Sequence, residues 1–313
     1  MPNNTEEQSC YRTSIGGQAV MEGVMMRNPV GKTALAVRGA DKQIVIEDVD
    51  VPPVTAWYKK TPFVRGVFNF IDMMGLGYKC LMRSADLAGF EEEESEFEKK
   101  LRQKLGKHYE TLFQGTVLLF SFILTFGLFA FLPTFLVTQL KDYVSHTFIL
   151  TVIEGCTKIA IFLIYLSAIS VMSDIKRVYQ YHGAEHKTIA CYEHGDELTV
   201  ENVRKYTRFH PRCGTSFLVI VLIISILMFS VVSWGNIWLR VGLKLLLLPV
   251  VMGITYEIIK LAGRCDNAFT RFISAPGLWT QRLTTREPDD EMIEVAIAAM
   301  KAVLPQDNSR VEW

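Results

Sequence analysis

The 313 residues carry 33 basic and 33 acidic side chains, a balance that argues against nucleic acid as a partner. Half of the residues are hydrophobic and gather into runs longer than a soluble domain leaves unbroken, so the partner that composition points to is a lipid bilayer. No short, positively led apolar segment opens the chain, and Cys10, Cys80, Cys156, Cys191, Cys213 and Cys265 lack framework spacing, so neither a secretory signal nor disulfides are expected.

Residues 1–55 are expected to form an N-terminal cytosolic β-unit, loose over 1–10. From Ile15 the chain reads IGGQAVMEGVMMRNP, and then TALAVR and QIVIEDV alternate around Gly39-Ala40-Asp41-Lys42, the pattern of a hairpin. Gly16, Gly17 and Gly23 let backbone approach a neighbouring strand or an anion, and Glu22 beside them is a candidate ligand, although packing is the commoner cause of such glycines. Residues 56–111 connect this unit to the apolar part of the chain. Within them, 62–87 mix aromatics and methionines with Arg65, Asp72, Lys79 and Arg83, too polar to span; an interfacial helix on the inner leaflet and a helix packed on the β-unit both fit. The run EEEESEFEKKLRQKLGK at 91–107 reads as solvated helix or linker.

Four apolar stretches follow, 112–137, 148–172, 215–234 and 241–262, each near the roughly 20 residues that cross a bilayer core. The expected fold is an α-helical integral membrane protein with four transmembrane helices over 112–262 and a small cytosolic α+β part. The connection 174–214 holds Lys176, Arg177, Lys187, Arg204, Lys205, Arg208 and Arg212, whereas the other two connections offer Lys141 and Arg240. That asymmetry sets the middle connection and both termini in the cytoplasm. Glu154 and Lys158, four apart in the second stretch, have the spacing of a helical ion pair. The segment 263–313 closes with an amphipathic helix over 290–303 whose apolar side carries Met292, Val295, Ala296, Ala299 and Val303.

The chemistry concentrates in the middle connection. Residues 181–188 read YHGAEHKT, an H-x-x-E-H pattern in which His182 and His186 share a helical face and Glu185 stands beside them. Neutral imidazoles bind zinc without cancelling its charge, and a neighbouring carboxylate takes a proton from an attacking water. The helix would run from the second apolar stretch to Gly195, weakened by Gly183, with a short helix capped by Thr199 after it. The plain alternative is a polar helix that happens to carry two histidines.

A catalytic zinc site usually has three protein ligands. The expected topology returns the chain to the same membrane face near His210, Cys213 and Glu257, so the third metal ligand is sought there, with His210 ranked first, Glu257 second and Cys213 third. His210 could instead cap a helix, and Glu257 could pair with Lys260.

Taken together, GGQAVMEGVMMRNP at 16–29, YHGAEHKTI at 181–189, HPRCGTSF at 210–217, YEIIK at 256–260 and PGLWTQRLTTREPDD at 276–290 resemble the YqhQ-like family of bacterial membrane proteins. The resemblance covers about nine tenths of the chain. It implies a multipass protein of the bacterial inner membrane and a metal-dependent enzyme, and it supplies no substrate. It also draws Arg282, Arg286 and Glu287 toward the site, against the plainer reading of a segment that docks the last helix on the β-unit. The leading expectation is a zinc-type hydrolase at the cytoplasmic face, cleaving an amide or ester of a membrane protein or lipid, with Glu185 as general base. One rival is a non-enzymatic scaffold or assembly factor whose metal is closed off by His182, His186, His210 and Cys213. Another is a transporter using Glu154, Lys158 and Glu257 as relay residues.

Overall fold

The computed structural model describes residues 13–29, 31–51, 56–90, 96–211, 213–230, 232, 236–264 and 268–305. The loose start expected at 1–10, Cys10, residues 91–95 of the charge run, Arg212 and Cys265 lie outside the described residues. The chain divides into two units, one of residues 1–90, 167–221 and 252–313, the other of 91–166 and 222–251.

In the first unit, strands β1 (Gly16–Val20), β2 (Gly23–Arg27), β3 (Thr33–Arg38) and β4 (Ile44–Asp48) form an antiparallel meander in the order β1-β2-β3-β4. Strand alternation divides β2 and β3 between two cores. Val24, Met26, Ala34 and Ala36 face helices α6 (Ser173–Glu193) and α11 (Asp290–Val303), where the alanines let those helices approach closely. Met25, Leu35 and Val37 face Cys80 and Leu76 of helix α1 (Val64–Ala88). Both faces are covered, so the two strands are buried almost throughout. Helix α11 carries its cap in the sequence: the Asp289 carboxylate accepts from the Met292 amide at 2.9 Å. Its apolar side, Met292, Val295, Ala296, Ala299 and Val303, is fully buried.

Helix α1 packs on the β-unit, the second of the two readings of its sequence. Its Gly77 lies against Gln18, Cys80 enters the sheet core, and the Ser84 hydroxyl accepts from the Met21 amide. Phe68, Ile71, Met74 and Tyr78 are exposed. Its first turn docks on helix α9 (Ile237–Arg264): Gly66 abuts Tyr256, and a Cβ at Gly253 would come within 2.6 Å of the Phe63 carbonyl. Glu22, in the β1–β2 turn at φ 49°, accepts from the Arg177 guanidinium and the Tyr181 hydroxyl, so it fastens the turn to α6.

Helix α6 does not continue the preceding apolar helix, α5 (Thr147–Ile169): a turn at 170–172 separates them. Gly183 belongs inside α6 for a packing reason. A Cβ there would fall 2.0 Å from the Arg286 carbonyl, and the Arg286 amide donates to the Tyr179 carbonyl at 2.8 Å. Gly195, at φ +79°, ends the segment in the left-handed conformation. Thr199 then caps the short α7 (Val200–Arg204) by accepting from the Asn202 amide.

Among the described residues, three helices are long and apolar enough to cross a membrane: 112–138, 147–169 and 237–261. The first comprises most of α3 (Tyr109–Phe126), a π-turn over Gly127–Phe131, and α4 (Leu132–Thr138). The third expected span is shorter, α8 (Gly214–Phe229) having 16 residues. In the second unit Arg240 is not a loop cation, as its count among the connecting residues assumed. It stands in the first turn of α9, 1% exposed, donating to Glu154 at 2.7 Å. Glu154 takes Arg240, Lys244 and Thr134 as hydrogen-bond partners, so its closest ionic contacts are not with Lys158. Helix α10 (Ala268–Thr284) belongs to the first unit and meets the start of α8, with Gly277 against Ser216.

Candidate metal centre

His182 and His186 project from one face of α6, one helical turn apart, with ring centroids separated by 4.4 Å. Each ring is fixed through Nδ1. His182 Nδ1–H donates to the Thr284 carbonyl at the end of α10 (2.9 Å), and His186 Nδ1–H donates to the Arg208 carbonyl (2.6 Å). These bonds select the tautomer in which both Nε2 atoms carry lone pairs, the orientation that backbone carbonyls give to metal-ligating histidines. Cys213, the residue before α8, brings Sγ to 3.1 Å from His182 Nε2.

Ligand atoms of His182, His186 and Cys213 all lie within 4.8 Å of one another. Tetrahedral Zn–N and Zn–S bonds would separate such atoms by about 3.3–3.6 Å, so a divalent ion could be held with small adjustments. Sγ also receives the Thr215 amide at 3.4 Å and lies 3.2 Å from the Thr215 hydroxyl, contacts suited to a thiolate. For Cys213 the electrostatics agree in direction: burial pushes the thiol up, but His182 and His186 draw it well below the ordinary thiol range. Burial opposes a proton on His182, yet Cys213, Glu185 and the Thr284 carbonyl raise its pKa to about 9, so without an ion Nε2 keeps a proton beside the thiolate, and an ion would bind by displacing it.

Glu185 is 5% exposed, and one of its carboxylate oxygens lies 3.9 Å from His182 Nε2. Strand β1 passes directly over it: a Cβ at Gly17 would meet Glu185 Cγ at 2.9 Å. The glycine is thus required by the approach of a strand to the carboxylate's stem, and no ligand role for Glu22 is needed to explain it.

The third-ligand ranking changes on this geometry. Cys213, placed last by the sequence, is the residue gathered with both motif histidines. His210 stacks obliquely on His186 with centroids 5.6 Å apart, and its Nε2 lies 3.6 Å from a Glu193 oxygen. The Gln281 amide brackets its backbone, accepting from the His210 amide at 2.9 Å and donating to its carbonyl at 2.7 Å. Glu257 is elsewhere: it accepts from Arg65 Nε at 2.7 Å, Arg65 Nη2 at 2.5 Å and the Phe63 amide at 3.1 Å. Glu257 therefore ties α1 to α9 and does not join the histidines.

Glu193 escaped the sequence, whereas Glu287 and Arg286 were among the residues the family resemblance draws toward the site. Glu193 lies seven residues beyond His186 on the same helical stripe, a signal that could have found it. Glu287 takes Lys187 at 2.7 Å and Arg208 at 3.0 Å. Burial pushes the Glu287 carboxyl up, but those two cations hold it below the usual range. Since Arg208 also supplies the carbonyl that holds His186, Glu287 steadies that histidine through Arg208. Arg286 contributes its backbone to the same seam through Tyr179.

The family described as "Protein of unknown function (DUF1385)" matches residues 61–306, a range that includes the motif histidines, Glu185 and Cys213. The chain is also 36% identical over 296 residues to "Uncharacterized protein YqhQ" of Bacillus subtilis (strain 168), covering 92% of each chain. No solved structure matches.

Proposed function

Since the chain belongs to the DUF1385 family, whose name carries no activity, we propose from the site itself that this membrane protein is a metal-dependent hydrolase. Its substrate would be an amide or ester of a membrane protein or lipid. The ligands of the zinc-type ion are His182, His186 and Cys213. The observation that carries this reading is the pair of Nδ1 bonds to the Thr284 and Arg208 carbonyls, which turn two Nε2 lone pairs toward one thiolate. The ion would supply Lewis acidity and lower the pKa of a water at its open position. Glu185, beside the ligands yet outside the set of three, takes up the proton of the attacking water and returns it to the leaving group. Its burial against Gly17 keeps the carboxylate from swinging to solvent. Elemental analysis of the purified protein tests the ligand set: about one ion per chain for the native sequence, and loss of most of it in His186→Ala.

A second reading has one observation in its favour, His210 beside His186. If His210 closed the fourth position, the metal would be structural and the protein a scaffold or assembly factor. The hydrolase is preferred because His210 Nε2 faces the Glu193 carboxylate.

The site is assigned to the cytoplasmic face of the bacterial inner membrane, with four spans and both termini inside. Supporting this, Thr134 near the end of the first apolar helix and Phe229 at the end of α8 meet residues from the first turns of α9. Alternating spans require that arrangement. With Arg240 and Lys244 buried against Glu154, Lys141 is the cation left in the two short connections, which strengthens the bias of the middle one.

A further inference from the structure

Independently of the hydrolase reading, we infer that the second unit contains an intramembrane site for a small inorganic anion of the halide class, centred on Lys158. Glu154, Lys158, Arg240 and Lys244 are all 6% exposed or less, and all stand on the apolar helices α5 and α9. Three cations thus surround one carboxylate among the described residues of this cluster. Glu154 is already saturated: Arg240 donates to one oxygen, and Lys244 and the Thr134 hydroxyl donate to the other. Lys158 is left with the Ser225 hydroxyl at 3.5 Å and the face of Phe229, whose centroid is 5.0 Å from Nζ.

Such a group is costly in a low-dielectric span unless an opposite charge accompanies it. A cation–π contact offsets part of the cost but leaves the net charge in place. The same ring also lies 5.7 Å from Lys244 Nζ, so two ammonium groups approach one aromatic ring with a single carboxylate between them. A bound monovalent anion lowers the excess of two positive charges to one and gives Lys158 an anionic partner beside the long contact to the Ser225 hydroxyl.

The size of the ligand follows from packing. Gly155, one turn from Lys158, lies so close to α8 that a Cβ would meet Ile226 at 2.8 Å. Helices α5 and α8 are therefore in close contact one turn from Lys158, which favours a monatomic anion over an organic headgroup. The cations also form a graded column. Arg240 is the fourth residue of α9 and Lys244 the eighth, while Lys158 is the twelfth residue of α5. Positive charge thus extends from the helix ends to about the midplane, roughly 17 Å along α5.

The test uses the purified full-length protein in detergent, with thermal unfolding followed at constant ionic strength as chloride replaces gluconate. The native protein should gain roughly 5 °C or more in a saturable manner, bromide should substitute for chloride, and Lys158→Met should not respond. Equal unfolding temperatures in chloride and gluconate would overturn the site, the charge then being met by an unprotonated lysine. An undiminished response in Lys158→Met would also overturn it, by placing the anion elsewhere. Should that variant fail to fold, radiolabelled chloride binding to the native protein decides: about one ion per chain supports the site, and none rejects it.

Discussion

His182 Nε2 and Cys213 Sγ stand 3.1 Å apart although 31 residues separate them in the chain. Between them the chain leaves α6, forms α7, and hands the Arg208 carbonyl to His186 before delivering Cys213 to the start of α8. A thiolate ligand therefore depends on the whole connection. With cobalt as the probe, the native protein should show sulfur-to-metal charge-transfer absorption, and Cys213→Ser should lose that band and most of its affinity. A persistent band would remove Cys213 from the ligand set.

The two residues ranked ahead of Cys213 by the sequence should behave differently from it. Glu257→Gln should keep full metal content, because Glu257 binds Arg65 and the Phe63 amide. His210→Ala should also keep it if the fourth position is open. Loss of the ion in His210→Ala would favour the closed, structural centre.

Gly183→Ala tests the seam that supplies the Thr284 carbonyl to His182. The added methyl would fall 2.0 Å from the Arg286 carbonyl, a backbone atom that cannot swing aside. Overpacking of this kind costs about 1–3 kcal/mol. A lower unfolding temperature together with weakened metal binding is expected, and unchanged values for both would show that the 286 segment moves freely.

How much of this was legible depended on how local each signal was. The bounds of α11, the Thr199 cap and the hairpin at Gly39-Ala40-Asp41-Lys42 rest on contacts a few residues apart, and the sequence carries them openly. So does the neighbourhood of His182, Glu185 and His186, because helical spacing determines it. Which residue joins the two histidines was not legible, since the expected topology brings His210, Glu257 and Cys213 to one membrane level and only the fold separates them. Glu257 and Arg65 are 192 residues apart, so no local pattern announces their pair. Arg240 was misplaced for a different reason: a charge next to an apolar run reads as loop, and the carboxylate that permits its burial, Glu154, lies 86 residues earlier.

Acid sensitivity should report the Glu287 contacts. Glu287 has its folded pKa lowered by Lys187 and Arg208. The stability from these contacts is therefore present above the unfolded value, near 4.5, and is lost as pH falls through the lowered folded value. Glu287→Gln should be less stable than the native protein at neutral pH, and the difference should shrink toward zero in acid. Because Glu287 is more than half exposed, the effect should be small and weakened by salt. A difference that is constant with pH would assign the loss to packing.

Topology is open to reporter fusions. A fusion after Lys141 should read as external and one at Gly195 as cytoplasmic. A cytoplasmic signal at Lys141 would reverse the assigned orientation.

The claim that this centre performs hydrolysis is tested most directly by Glu185→Gln, scored together for metal content and for complementation of a strain lacking the protein. Glutamine keeps the size of the side chain and loses its basicity, and the carboxylate lies 3.9 Å from His182 Nε2 without belonging to the set of three ligands. The account predicts metal content and protein level near native, with activity reduced by about 10² or more and complementation lost. Full complementation by Glu185→Gln at native protein level would contradict the hydrolase and leave the structural centre as the better description.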